Sequence, residues 1–306
     1  MMAQEKLEAT MQMLQEGVES LFESDKYKHY LDVMSRFHDY SINNQILIGM
    51  QHPDATLVAG YTAWRDKFHR SVKKGEKGIT IISPTPYKVT KEIEKVDANG
   101  VTTTEEQEIS RLGFRTATVF DFSQTEGEPL PEIATILHDP VRDYDDLLDA
   151  IKSISPVPVC FEDIKGSANG FYAPTDQKIV VKRGLPEAQT LKTLIHETAH
   201  ACLGHGSKED HLDRRTHEVQ AESVAYVVSK AIGLDTEDYS IGYVAGWSSG
   251  KEIKELKASL QVIRDAADSM ITGIQNKMME IMEQKQEREA KRAEVIVMRH
   301  GGMKMG

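Results

Sequence analysis

The segment Leu194-Ile195-His196-Glu197-Thr198-Ala199-His200 sets two imidazoles four residues apart with a carboxylate beside the first. On a helix this spacing puts both histidines on one face, where they can grip one ion while Glu197 lies beside its open coordination position. That is the arrangement of a zinc hydrolase. Zinc suits imidazole and carboxylate ligands, and a water acidified by the ion needs a nearby base, the role open to Glu197. A catalytic zinc also needs a third protein ligand. Glu218-Val219-Gln220-Ala221-Glu222 offers two carboxylates one turn apart: one can bind the ion, and the other can orient a ligand histidine from behind. One divalent ion is the expected cofactor, zinc by this ligand chemistry, with its identity left open. The same residues would also build a site that only holds the fold, without turnover.

Other titratable groups crowd the motif. His205, His211 and His217 read as solvated loop or helix-start residues rather than ligands, and Cys202 as buried packing.

A second chemistry is suggested between Tyr61 and Lys91, where eight basic residues face only Asp66 and Glu76. Arg70, Lys73, Lys74 and Lys77 lie there beside Trp64, with Tyr40, Asn43 and Asn44 upstream. Cations that track phosphates and rings that stack on unpaired bases are what single-stranded DNA requires, and the asparagine amides could read base edges or phosphates. Trp64 and Phe68, four apart on a helix, equally describe one core stripe whose solvated face carries the lysines.

The elements that must position these groups follow from periodicity. Residues 5 to 50 read as helices, and a short helix around Trp64 and Phe68 is expected to end at Lys74-Gly75-Glu76-Lys77-Gly78. Ile79 to Ile82 and Arg115 to Phe122 read as strands, and Val89 to Ser110 as an exposed hairpin turning at Asn99-Gly100. Strands are expected at Val157 to Phe161 and Lys178 to Lys182 with a loop from Gly166 to Asp176 between them, then helices over Glu187 to Leu203 and Arg214 to Ile232. The thermolysin-like zinc peptidases that the His-Glu pattern resembles keep an edge strand just before such a helix, which implies that Lys178 to Val181 can pair with an extended peptide. From Lys251 to about Glu294, apolar residues recur near heptad spacing and predict an amphipathic helix packed on the second domain.

The expected fold class is α+β in two domains: 1–125, a proline-bearing acidic linker over 126–140, a mainly helical domain with a small β-sheet over 141–250, and a helix and tail over 251–306. The 306 residues suffice for two cores, and 40% hydrophobic with 28% charged residues is a globular composition. Two cysteines rule out a disulfide framework, so a cytoplasmic protein is expected, and no run approaches the ~20 apolar residues of a membrane span. The formal charge of -11 argues against a uniformly basic surface. It averages a basic lobe with acidic stretches, among them nine acids against Arg142 between Asp121 and Asp149.

Two family resemblances emerge. The segments HDYSINNQILIGMQHPDATLVAGYTAWRDKFHRSVKKGEKGITIISP and VFDFSQTEG resemble the amino-terminal, single-stranded-DNA-binding domain of ArdC-type antirestriction proteins. ANGFYAPTDQKIVVKRGLPEAQTLKTLIHETAHACLGH and HEVQAESVAYVVSKAIGL resemble the zincin-like metallopeptidase domain joined to it in that family. The resemblance implies a protein of a conjugative or other mobile genetic element that binds incoming single-stranded DNA, protects it from restriction, and acts on a protein or peptide substrate through its metal site. Similarity to thermolysin-like (gluzincin) peptidases implies that Glu218 binds the metal and Glu222 stands behind a ligand, with the swap open. Two rival readings use the same residues: a repressor-cleaving peptidase of the ImmA/IrrE kind, and a DNA-binding protein whose metal is structural.

Overall fold

The computed structural model describes residues 2–21, 24–96, 102–130, 144–234, 247–248 and 251–301. It is an α+β chain that packs as two compact units, Met1–Ser20 with Tyr40–Pro129, and Leu21–Asp39 with Leu130–Gly306. The expected Asn99-Gly100 turn and linker residues 131–140 lie outside the described residues.

In the first unit, helices α1 (Met2–Ser20) and α3 (Ile42–Gln51) accompany the strands β1 (Val58–Gly60), β3 (Ile79–Val96) and β4 (Thr102–Asp121); α2 (Ser24–Arg36) belongs to the second. The long β3–β4 hairpin is antiparallel, from Ile79 opposite Val119 to Val96 opposite Thr102, and β1 pairs with the other side of β4. Helix α3 covers β3 through two amides one heptad apart, buried Asn44 and half-buried Gln51. Asn44 accepts from the Ile82 N–H and donates to its carbonyl, both at 2.9 Å. Gln51 does the same to Thr80 at 2.9 and 2.8 Å. The pair thus replaces a neighbouring strand at the start of β3, leaving no backbone group there unpaired.

Helix α4 (Tyr61–Asp66) ends well before Gly75. His69 turns the chain with a φ of 52°, and Arg70–Val72 becomes β2, paired antiparallel with β5 (Thr125–Gly127). Between β4 and β5, a short 3-10 turn over Phe122–Gln124 is capped by Asp121. The expectation of one helix running to the glycines fails because Arg70 points inward. Its guanidinium bonds the Thr125 hydroxyl and carbonyl and the Glu128 carbonyl, and lies over the Phe122 ring at 4.3 Å.

The second unit is built on a three-stranded sheet of β6 (Val159–Glu162), β8 (Lys178–Lys182) and β7 (Gly170–Ala173), in that order, with β6 parallel and β7 antiparallel to β8. Two expectations are corrected here. The segment Gly166 to Asp176 contains strand β7, and β8 is the central strand. Ile179, Val180 and Val181 are all fully buried, the mark of a strand covered on both faces. The edge strands are therefore β6 and β7.

Helix α5 (Tyr144–Ser153) precedes this sheet; α6 (Glu187–Cys202) packs across β7 and β8, and α7 (Arg214–Ala231) packs on α6. Helix α2 lies against α7, fixed by Tyr27 to Ser223 at 2.8 Å and Tyr226 to Asp32 at 2.7 Å. Helix α8 (Ile253–Gly301) buries Leu256, Leu260, Ile263, Ala267, Met270, Ile271, Ile274 and Met278 against α7 and α5. None of the described helices is long and apolar enough to cross a membrane.

Candidate metal centre

Helix α6 buries Leu191, Leu194, Ile195, Thr198 and Ala199, so His196 and His200 share the opposite side. Helix α7 starts where Asp213 caps it by accepting from the Thr216 N–H at 2.9 Å. This start point sets Glu218 and Glu222 one turn apart facing α6. Ligand atoms of His196, His200 and Glu218 all lie within 4.8 Å of one another. The two Nε2 atoms are 3.1 Å apart, and Glu218 Oε2 is 3.8 Å from one and 3.9 Å from the other. Glu222 Oε2 instead lies 3.2 Å from Nδ1 of His196, on the far side of the ring. The two carboxylates that the sequence could not tell apart thus occupy different positions.

His200 has its own partner behind it. Its Nδ1 is 2.8 Å from Nδ1 of His205, whose Nε2 is 3.1 Å from Gln220 Oε1; the Gln220 amide donates to the Ser259 hydroxyl of α8 at 2.9 Å. His205 is only 4% exposed, which corrects its reading as a solvated loop residue. Gly204 and Gly206, with φ of 68° and 72°, turn the chain back on either side of it. His217 stacks on His205 at 4.4 Å between centroids and sits 2.7 Å from Asp210, whereas His211 is exposed. Cys202 is also exposed, not buried as expected, because it closes α6 where the helix leaves the core. His205 and Gln220 were missed because nothing in periodicity pairs a loop histidine with a helix glutamine.

Burial raises the pKa of Glu197; His196 and an N–H donated by Tyr172 of β7 oppose the rise, and Glu218 adds to it. For His196, burial pulls the pKa down, but Glu222, Glu197 and Glu218 outweigh it and hold the ring above its ordinary value. His200 is lowered to about 3 by burial and by the neighbouring His196, His205 and His217 rings. It is therefore a neutral imidazole at any ordinary pH, the form a metal requires. A cleft of ≈ 290 Å³ opens beside His196 and Glu197, lined also by Asn169, Gly170, Gln189, Lys192, Thr193 and Glu222.

The residues expected to meet DNA divide into two groups. Trp64 is fully buried, its indole N–H donating to the Phe120 carbonyl at 2.8 Å, so the core-stripe alternative describes it and it offers no stacking face. Asn44 and Arg70 are spent on β3 and on β5 with its turn, as described above. Tyr40 is half-buried, its hydroxyl 3.4 Å from the Val58 carbonyl. Asn43, Lys73, Lys74 and Lys77 are exposed, Lys73 donating to the Ser123 carbonyl at 2.8 Å. Large exposed rings of this unit are Tyr61, Tyr87 and Phe114. Phe114 shares its face of β4 with the equally exposed Leu112.

Residues 4–120 match the family model described as the N-terminal domain of anti-restriction factor ArdC. Residues 116–221 match one described as "Putative metallopeptidase family (DUF6782)". The uncharacterized protein pXO2-81 of Bacillus anthracis is 30% identical over 88% of this chain, which spans about half, 52%, of that protein's length. Two similar solved structures are crystal structures of antirestriction protein ArdC from plasmid R388. The metal-free one is 24% identical over 78% of this chain and 83% of its own, with a TM-score of 0.44. The Mn(II)-bound one is 19% identical over 88% of this chain and 97% of its own, with a TM-score of 0.47. By these two matches, which follow one another along residues 4–221, the chain carries an ArdC N-terminal domain followed by a domain of the putative metallopeptidase family.

Proposed function

We propose that this chain is a metal-dependent peptidase joined to a single-stranded-DNA-binding domain, and that it serves antirestriction for a mobile genetic element in the cytoplasm. The observation that carries the reading is the convergence of His196 Nε2, His200 Nε2 and Glu218 Oε2, with buried Glu197 and an open cleft beside them. The donor set fits a divalent cation, zinc by ligand chemistry: two imidazoles and one carboxylate hold the ion from one side, and Glu222 and His205 occupy the imidazole nitrogens that point away. Once bound, the cation supplies Lewis acidity toward a peptide carbonyl and acidifies a water.

The chain's own residues do the rest. Glu197 takes the proton from the attacking water and returns it to the leaving amine, and the Tyr172 N–H keeps it aimed. The edge of β7 turned away from β8 can pair with an extended peptide beside the cleft, where Asn169 and Gly170 already form part of the wall. For DNA, the support is the ArdC N-terminal match together with exposed Asn43, Lys73, Lys74 and Lys77.

Metal analysis of the purified protein and a peptide-hydrolysis assay test the catalytic half together. Glu197→Gln should keep one metal per chain and lose hydrolysis by ~10²–10⁴-fold, the usual scale for a lost general base. A variant as active as the parent protein would leave the structural-metal rival standing.

A further inference from the structure

An imidazole that binds a metal through Nε2 must carry its proton on Nδ1, so each ligand histidine needs an acceptor behind it. His196 has the Glu222 carboxylate, which can only accept when ionised. His200 has His205, whose ring can either accept or donate. Something else must decide which. Gln220 presents Oε1 to Nε2 of His205 at 3.1 Å, which places the His205 proton on Nε2 and leaves a lone pair on Nδ1. The Gln220 NH₂ in turn donates to the Ser259 hydroxyl at 2.9 Å. The chain runs out of reach of solvent, with His205 at 4%, Gln220 at 3% and Ser259 at 9% exposure, so water cannot replace a missing link.

We propose that His205 is a positioning residue that holds His200 in its Nδ1–H tautomer, within a chain that runs through Gln220 to Ser259 of the C-terminal helix. This rests on reading His200 as a metal ligand. It makes α8, which lies beyond the metallopeptidase match at residues 116–221, part of the metal site. Reversing the Gln220 amide would reverse every bond in the chain. His205 would then donate to His200, and the His200 proton would move to Nε2 and cover the lone pair the ion needs.

Long-range proton–nitrogen NMR of the metal-free protein reads the tautomer directly. A protonated Nδ1 on His200 is expected, and a protonated Nε2 would overturn the proposal. Zn²⁺ affinity, measured by chelator competition, gives the second reading. His205→Phe keeps a ring but no acceptor and should weaken binding ~10–100-fold. His205→Asn sets an amide oxygen where Nδ1 stood and should recover affinity to within about threefold of the parent. If Asn binds as weakly as Phe, the ring acts by packing against His217 and the acceptor role is wrong. Ser259→Ala should weaken Zn²⁺ several-fold with the fold intact by circular dichroism; unchanged affinity would remove α8 from the site. Should the parent protein itself fail to bind Zn²⁺, the metal-site reading falls, while the NMR still decides the tautomer.

Discussion

Glu218 and Glu222 are chemically identical and four residues apart, yet the structure gives them unequal work. Glu218 faces both Nε2 atoms and Glu222 faces only the back of one ring. Removing a ligand and removing a ligand's support should therefore differ in size. We expect Glu218→Ala to abolish stoichiometric metal, and Glu222→Ala to weaken it ~10–100-fold while leaving one site measurable by calorimetry. Equal losses in the two variants would mean that the carboxylates share the ion. At this scale the sequence was most informative where the spacing matches a helical turn, as for His196, Glu197 and His200. It was least informative where contact joins distant residues. His205 reaches its role through a loop closed by two left-handed glycines, and no periodicity encodes that. Trp64 shows the opposite limit: a ring four residues from another ring is compatible with surface or core, and burial under the Phe120 carbonyl decides it.

Among the elements of the second unit, strand β7 was the one that could not be read. Gly170-Phe171-Tyr172-Ala173 is four residues flanked by turn-forming Ser167, Asn169 and Pro174, whereas Lys178-Ile179-Val180-Val181-Lys182 has an apolar centre that any strand criterion finds. β7 matters because at Gly170 it approaches α6 too closely for a side chain of its own. A Cβ on Gly170 would stand 2.6 Å from Thr193 Cγ2 and 2.9 Å from the Val180 carbonyl oxygen. Gly170→Ala should cost ~1–3 kcal/mol in a denaturant titration, the usual scale of overpacking, and should reduce hydrolysis more than metal content, since Tyr172 would drift from Glu197. The β4–β5 junction offers a pH test. Burial would raise the Asp121 pKa, but hydrogen bonds from Ser123, Thr56 and Leu57 win and hold it below the usual carboxylate range. A depressed folded pKa means that its contribution is fully present above the unfolded value of about 3.9 and is lost as pH falls through the folded one. Asp121→Asn should thus lower stability by ~1–3 kcal/mol at neutral pH, with a shallower loss on acidification when melting is followed from pH 5 to 3. A wild-type acid slope identical to the variant's would exclude this residue as a source of it.

For the whole molecule, a net charge of -11 coexists with an exposed Lys73, Lys74 and Lys77 on the first unit. If those lysines track phosphates, oligonucleotide affinity measured by fluorescence should fall steeply with salt, and the triple reversal Lys73→Glu, Lys74→Glu, Lys77→Glu should remove most of that salt dependence. Salt-independent binding, or a triple variant that binds as before, would favour the repressor-cleaving rival. The fold class and the metal-bearing helices were legible because their apolar periods are long. What no linear reading supplied is that α2 packs with residues far downstream, its Tyr27, Leu31 and Met34 buried in the second unit while residues 40–129 form the first. That arrangement imposes a schedule on synthesis. α2 leaves the ribosome about 180 residues before α7 begins, which at ~5–20 residues per second is a delay of roughly 10–40 s. Throughout it the apolar face of α2 has no native partner, so the nascent chain must keep one finished helix face waiting, a natural foothold for a chaperone, while the rest of the first unit is made.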